Sequence, residues 1–61
     1  MTKKEVMKKM RDALRIHYQW ARFQRRRREN GKKAIPNVGG ETFHREWVKV
    51  YKETLRILNN G

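Results

Sequence analysis

GKKAIPNVGG, residues 31–40, decides the fold, because it is the only break between two segments that repeat apolar residues at helical spacing. It holds the single proline and three of the four glycines of the chain, and these residues end helices and form loops. Two helices joined by a loop of about ten residues most simply fold back on each other. The sequence therefore predicts an all-α, antiparallel two-helix hairpin that forms one domain over residues 1–61.

The segment before the loop predicts a first helix over residues 3–29. Thr2 followed by Glu5 is a capping box, in which the hydroxyl accepts from a helix amide and the carboxylate reaches back. Asn30 and Gly31 end the helix, since glycine readily takes the left-handed conformation. Between these ends, the apolar stripe consists of Val6, Met10, Ala13, Leu14, His17, Trp20 and Ala21.

The segment after the loop predicts a second helix over residues 41–59. Val38 and Phe43 have the separation of a hydrophobic staple, which places the N-cap near Gly39. Glu41 in the first turn suits the positive end of the helix dipole. His44 is interpreted as a surface or interface residue. The apolar stripe of this helix consists of Phe43, Trp47, Val50, Tyr51, Leu55 and Leu58.

The first helix is too apolar to be covered by one partner helix. Its apolar arc spans about 220°, whereas packing on one helix needs little more than about 100°. A chain of 61 residues without cysteine also lacks disulfides to support a small core. We therefore expect a two-fold dimer that forms a four-helix bundle, with Ile35 and Val38 of the loop as the alternative cover. The predicted interface residues are Ile16, Trp20, Phe23, Trp47 and Tyr51.

The charge of the chain is strongly positive and unevenly placed. Lysine and arginine number 17 against 6 acidic residues, which gives a net charge of +11. Residues 2–30 carry +8, residues 31–40 carry +2, and residues 41–61 carry only +1. Such localisation predicts a binding site for a polyanion, with nucleic acid as the first candidate.

The basic residues of the first helix form one stripe. At about 100° per residue, they fall within about 60° of one another. The members of the stripe are Lys4, Lys8, Arg11, Arg15, Arg22 and Arg26. The polar face of the second helix is mixed in sign, and we expect it to be an ordinary solvated face. That face holds Arg45, Glu46, Lys49, Lys52, Glu53 and Arg56.

Four consecutive arginines stand at the end of the first helix. The helix dipole favours cations there, but one or two would be enough. Matching the two apolar stripes leaves residues 24–30 as a projecting basic overhang, with the loop returning alongside it. The segment WARFQRRRRENGKK, residues 20–33, resembles the arginine-rich motifs of viral RNA-binding proteins, and this resemblance implies contacts with RNA. Together with Lys4, Lys8, Arg11, Arg15 and Arg22, the predicted nucleic-acid-binding residues are Arg25, Arg26, Arg27, Arg28, Lys32 and Lys33.

The sequence offers little for catalysis or for holding a cofactor. It has no cysteine or serine nucleophile, no glycine-rich phosphate loop, and only two histidines. His17 lies on the apolar stripe and is interpreted as a packed residue. We expect no enzymatic activity, no metal site and no cofactor. Without a long apolar run or a secretory signal, we also expect a cytoplasmic protein that does not span a membrane.

Three functional hypotheses follow from the sequence. The leading one is a small regulatory protein that binds DNA or RNA mainly through phosphates. The alternative is a helical interaction module that regulates or inhibits an acidic partner protein, with Trp20, Phe23, Trp47 and Tyr51 as anchors. The third is a basic amphipathic protein that acts on membranes.

Overall fold

Two helices joined by one loop make up the computed structural model, which describes residues 1–60. Helix α1 spans Lys3–Glu29 and helix α2 spans Glu41–Asn60, so the predicted bounds are confirmed to within one residue. The helices pack against each other in an elongated molecule of 43 × 18 × 14 Å. The all-α hairpin is confirmed, and the pairing of two hairpins into a four-helix bundle stays a prediction.

The start of α1 is capped by Thr2, as the sequence predicts. The Thr2 hydroxyl accepts a hydrogen bond from the backbone N–H of Glu5 at 3.2 Å. It also donates to the Glu5 carboxylate at 3.2 Å. The carboxylate thus bonds the side chain of the cap residue, whereas the capping box pattern places it on the backbone N–H.

The end of α1 is a Schellman motif built on Gly31. This glycine has a φ of 72°, in the left-handed region. Its N–H donates to the carbonyl of Arg28 at 3.0 Å, and the N–H of Lys32 donates to the carbonyl of Arg27 at 2.8 Å. These two bonds satisfy carbonyls that the helix leaves open, and they turn the chain back toward α2.

The contact between the helices centres on Ala21 and Val48, which are both buried. The small alanine side chain allows the two helices to approach closely at this point. Two polar residues, Gln24 and His44, are buried beside them. Within residues 1–60 these are the only four buried residues, so the apolar core of one hairpin is very small.

The face of α2 that meets α1 is rotated from the expected one. The predicted stripe of α2 includes Phe43, Trp47 and Val50 among the residues that pack against α1. In the structure these three side chains are 40–51% exposed, whereas His44 and Val48 are buried. The interpretation of His44 as a surface residue is therefore wrong.

The loop is held against α1 by the buried side chain of Gln24. Its amide nitrogen donates to the carbonyls of Ile35 at 3.1 Å and Gly39 at 3.0 Å. Its amide oxygen accepts from the backbone N–H of Ile35 at 3.0 Å. The loop therefore returns alongside the end of α1 as predicted, but Gln24 is buried in the packed body and does not belong to an overhang.

The first turn of α2 begins one residue later than the staple pattern predicts. The carbonyl of Gly40 accepts the N–H of His44 at 3.1 Å, which places the N-cap at Gly40. Gly39 precedes it with a φ of 86° and lies directly against the rings of Phe43 and His44. A residue with a side chain would not fit there, so this glycine allows the close approach of loop and helix.

Candidate nucleic-acid interface

The line of contact between Ala21 and Val48 divides the surface of the hairpin into two faces. At about 100° per residue, Ile16, Trp20 and Phe23 of α1 turn to one side of this line, and the basic stripe turns to the other. Because α2 runs antiparallel to α1, its apolar and basic residues turn to the same two sides. One face of the molecule is therefore largely aromatic, and the opposite face is basic.

A groove runs along the basic face between the two helices, and we call it the basic groove. Ala21 and Val48 form its floor, and Tyr18 lies at its edge. Toward the free ends of the helices it continues over Met7 and Leu55. Its basic side chains come from both helices, namely Arg11, Arg22, Arg25, Arg45, Lys49, Lys52 and Arg56.

The sequence predicts that the polar face of α2 is an ordinary solvated face, but in the structure the basic residues of this face line the groove. Lys49 and Lys52 lie across the groove from Arg22. Glu46 and Glu53 are exposed but do not line the groove. The register of the hairpin therefore adds cations of α2 to the stripe of α1, although residues 41–61 carry almost no net charge.

Some cations of the groove are already paired. Arg45 forms an ion pair with Glu41 at 2.9 Å. Arg56 pairs with Glu53, and its hydrogen bond holds the pKa of that carboxyl below its usual value. Other cations stay available: no carboxylate of residues 1–60 forms an ion pair with Arg11, Arg22, Lys49 or Lys52.

Arg22 is also close to the one aromatic side chain of the groove. Its guanidinium carbon lies 5.9 Å from the centre of the Tyr18 ring, within the range of a cation–π contact. The Tyr18 side chain is 50% exposed. The pair therefore presents a cation and an aromatic ring to solvent at the same place.

The other predicted basic residues lie along the outer edge of α1 or on the loop. Lys4, Lys8 and Arg15 are exposed and continue the stripe beside the basic groove. Lys32 and Lys33 are exposed on the loop, beyond the end of α1. The structure thus brings most of the predicted binding residues to one face, and it adds the four basic residues of α2.

The arginine run divides into residues with different contacts. Arg25 pairs with Glu29 at 2.8 Å, one helical turn away. The Arg27 guanidinium donates to the backbone carbonyl of Lys33 at 2.8 Å. The Arg26 side chain has no hydrogen bond or ion pair within residues 1–60, and it lies beside Arg22.

The last arginine of the run connects the two helices. Arg28 donates to the Glu41 carboxylate at 3.0 Å, so it ties the end of α1 to the start of α2. This hydrogen bond holds the pKa of Glu41 below its usual value, and it raises the pKa of Arg28. Because this ion pair links the two helices, Arg28 contributes to the fold as well as to the charge.

The aromatic face lies opposite the basic groove. Three of its large side chains are prominent, with Ile16 55% exposed, Phe43 51% exposed and Phe23 44% exposed. Ile35 of the loop reaches Trp20 and Phe23, as the loop-cover alternative proposes, but leaves both partly open. We define the aromatic face as Ile16, Trp20, Phe23, Phe43, Trp47 and Val50.

The predicted interface residues fall into two groups. Ile16, Phe23 and Trp47 are exposed on the aromatic face. Trp20 and Tyr51 are partly buried, because their rings stack on the histidines between the helices. The second group therefore belongs partly to the core of the hairpin.

A pair of histidines lies under the aromatic face. The Nδ1 atoms of His17 and His44 are 2.8 Å apart. His44 Nε2 lies 2.6 Å from the carbonyl oxygen of Val38, which can only accept, so Nε2 carries a proton. In the neutral pair His44 Nδ1 must then accept the proton of His17 Nδ1. The pKa of His17 is lowered by burial and by the neighbouring His44.

Sequence reasoning placed His17 correctly as a packed residue but missed its partner. His44 shares helical spacing with Val48, Tyr51 and Leu55, so a second stripe was present in the sequence. The more apolar stripe through Phe43 and Trp47 overlaps it and dominates the hydropathy pattern. A buried polar residue gains its hydrogen bonds only in three dimensions, so hydropathy alone ranks it too low.

Comparison of the chain with profiles of protein families, with curated proteins and with solved structures finds no match. Within residues 1–60, neither helix is both long enough and apolar enough to cross a membrane. In the same residues no group of three or more histidine or acidic side chains is arranged to bind a metal ion.

Proposed function

We propose that the protein is a small regulatory protein that binds nucleic acid through its phosphates. The observation that carries this proposal is the basic groove, where cations of both helices converge on one face without an acidic side chain in the lining. Cations held in this way displace the counterions of a phosphate backbone, which drives binding. Lys4, Lys8, Arg15 and Arg26 along the outer edge extend the contact.

The proposed contacts are to the backbone and not to the bases. Arginine and lysine line the groove, and Tyr18 is its one exposed aromatic ring. Neither helix projects alone in the way that major-groove reading requires. We therefore expect weak dependence on sequence, and the shared ligand is the phosphodiester backbone of DNA or RNA.

The test is a salt titration of binding to duplex DNA, hairpin RNA and single strands. Four groove cations without an ion pair imply that affinity falls about 100-fold between about 50 and 200 mM salt. The nucleic acid that retains the tightest binding at the higher salt identifies the preferred partner. Binding that is undetectable, or insensitive to salt, for all three would overturn the proposal.

Paired variants separate the groove from general charge. Arg22→Gln with Lys49→Gln removes one cation from each side of the basic groove. Lys3→Gln with Lys9→Gln removes the same charge from exposed positions outside the groove lining. The first pair should flatten the salt slope by about two, and the second should change it much less. Equal effects of the two pairs would show that no defined site exists.

The exposed aromatic face favours a second candidate, a module that binds an acidic partner protein. Phe23, Phe43 and Trp47 offer large apolar anchors of the kind found at hot spots. However, the basic groove is on the opposite side, so one compact partner does not contact both faces. Loss of a protein partner in Trp47→Ala, with binding retained in the double variant Arg22→Gln with Lys49→Gln, would favour this candidate.

A non-enzymatic role in the cytoplasm stays a prediction under either candidate.

A further inference from the structure

The aromatic face leaves the hairpin short of apolar burial. Ala21 and Val48 are the only apolar side chains buried within residues 1–60. Small domains with so little core usually need a disulfide, a metal or a second copy. The sequence has no cysteine, and residues 1–60 contain no cluster that could hold a metal. A second copy is the support that remains.

The size of the aromatic face suits such a pairing. Six large side chains contribute to it, and most are about half exposed. A half-exposed aromatic side chain offers roughly 100 Å², from an area of about 150–250 Å² when fully exposed, so with smaller contributions from Val50 and the partly buried Trp20 the face offers on the order of 500 Å². A standard interface buries about 800 Å² per partner, so this face with its rim is large enough for a dimer.

The distribution of charge favours a second copy over an acidic partner on this face, and it also favours one orientation of the two copies. Each chain carries +11, so two copies repel each other when they approach by their basic faces. The six side chains that define the aromatic face carry no charge, and the cations on the same side of α1, Lys9 and Arg27, lie toward its two ends. Contact through this face therefore keeps the two basic grooves as far apart as the molecule allows. An acidic partner, by contrast, would be drawn to the opposite side of the hairpin.

We propose that two hairpins pair through their aromatic faces and that the pair bridges two separate nucleic-acid duplexes. This inference rests on the proposed function. With the aromatic faces joined, the two basic grooves point outward on opposite sides. Two layers of helices, each about 10 Å thick, separate them.

One duplex does not reach both grooves. Double-stranded DNA is stiff over about 150 base pairs, so a short duplex does not bend around a body of roughly 20 Å. Each groove therefore takes its own duplex. The dimer then acts as a crosslink between two segments, either of different molecules or of distant parts of one molecule.

The experiment is a capture assay with two DNA duplexes of about 40 base pairs, well below the persistence length. One duplex is fixed to beads and the other is labelled, and the full chain is added at moderate salt. RNA duplexes form a parallel arm. We expect the labelled duplex to be retained only with protein present. Sedimentation at the same concentration should show a dimer.

Two variants test whether the aromatic face carries the bridging. Ile16→Gln with Val50→Gln changes two half-exposed positions on different helices, and Phe23→Gln changes a third. Both should keep their helical circular dichroism, become monomers, and reduce capture at least about tenfold while still binding one duplex. As the reciprocal control, Arg22→Gln with Lys49→Gln should stay dimeric while duplex binding and capture weaken together.

The outcomes separate this inference from the proposed function. A wild-type protein that binds a duplex but is monomeric, or that retains no second duplex, overturns the bridging alone. Undiminished capture by folded, monomeric variants also overturns it. A wild-type protein that binds none of the nucleic acids overturns the proposed function, and bridging with it.

Discussion

The Nδ1 atoms of His17 and His44 lie 2.8 Å apart, between the two helices of the hairpin. Val38 fixes the proton on the far nitrogen of His44, so the near nitrogen must accept. A proton added to His17 would place a positive charge in the partly buried contact between the helices, which burial and the neighbouring His44 both oppose. The contact between α1 and α2 is therefore sensitive to protonation in a pH range that biology uses.

We predict that the stability of the hairpin decreases as the pH falls below that of neutral solution. Burial and His44 lower the pKa of His17 from its unfolded value of 6.5, so the unfolded chain binds the proton more tightly. The stabilisation is fully present above 6.5 and is lost as the pH falls through the lower folded pKa. Melting followed by circular dichroism between about pH 7.5 and 5.5 should show a falling midpoint.

His17→Gln is the matched control for this pH dependence. Its amide nitrogen can still donate to His44, but it does not titrate. His44 and Tyr51 are the titratable side chains of α2 that contact the ring of His17, and both remain in the variant. The midpoint should therefore change less with pH than in the wild type. The same decrease in both proteins would assign the effect to another group.

The sequence was sufficient for features that depend on neighbours along the chain. Thr2 and Glu5 marked the start of α1, Gly31 marked its end, and Glu41 marked the first turn of α2. The stripe through Arg11 and Arg22 was also visible, because positions on one helix follow from its period. These are local properties, and helix geometry converts them directly into structure.

Features that depend on how the helices meet were not available from the sequence. Two stripes on α2 overlap, and the pairing of His44 with His17 selects the less apolar one. That choice of face brings Lys49 and Lys52 to the same side as Arg22. The basic groove is therefore a result of how α2 is rotated against α1, which hydropathy does not encode.

We predict that Gln24→Leu destabilises the hairpin by about 3 kcal/mol, measured by chemical unfolding at fixed protein concentration. The buried amide makes three hydrogen bonds to the backbone at Ile35 and Gly39, and leucine makes none. Gln24→Glu keeps an acceptor for Ile35 but turns a carboxylate toward two carbonyls, so it should be at least as harmful.

Gln19→Leu provides the control for this change, because Gln19 is exposed on the same helix. We expect an effect within about 0.5 kcal/mol there, as for most surface substitutions. If Gln24→Leu changed the free energy of unfolding as little as Gln19→Leu, the hydrogen bonds of Gln24 would not be what holds the loop.

The three described glycines give a graded series of alanine substitutions. Gly39→Ala combines a φ of 86° with a new methyl carbon 2.5 Å from the Phe43 ring, so it should be the most harmful. Gly31 has a φ of 72°, but an added methyl group would meet no neighbour, so Gly31→Ala should lower the free energy of unfolding by about 1–2 kcal/mol. Gly40→Ala has open space and no positive φ, so its effect should lie within about 0.5 kcal/mol.

Thermal melts of the three variants measure this order directly. The steric difference between Gly39 and Gly31 is the useful comparison, since both positions require the left-handed conformation. If the two substitutions lowered the melting midpoint equally, the loop would be able to move away from Phe43 without destabilising the hairpin.

Substitutions within the arginine run should separate stability from binding. Arg28→Gln removes the link to Glu41, so we expect the melting midpoint to decrease by a few degrees. Arg26→Gln removes an exposed cation without a partner in residues 1–60, so the midpoint should stay constant while the salt slope of binding decreases by about one.

The stabilisation by the Arg28–Glu41 ion pair should depend on pH. Arg28 lowers the pKa of Glu41, so this stabilisation is present above the unfolded value of 4.5 and is lost as the pH falls through the lower folded pKa. The midpoints of wild type and Arg28→Gln should therefore converge in acid. A constant difference between them down to about pH 3 would contradict a role for this ion pair.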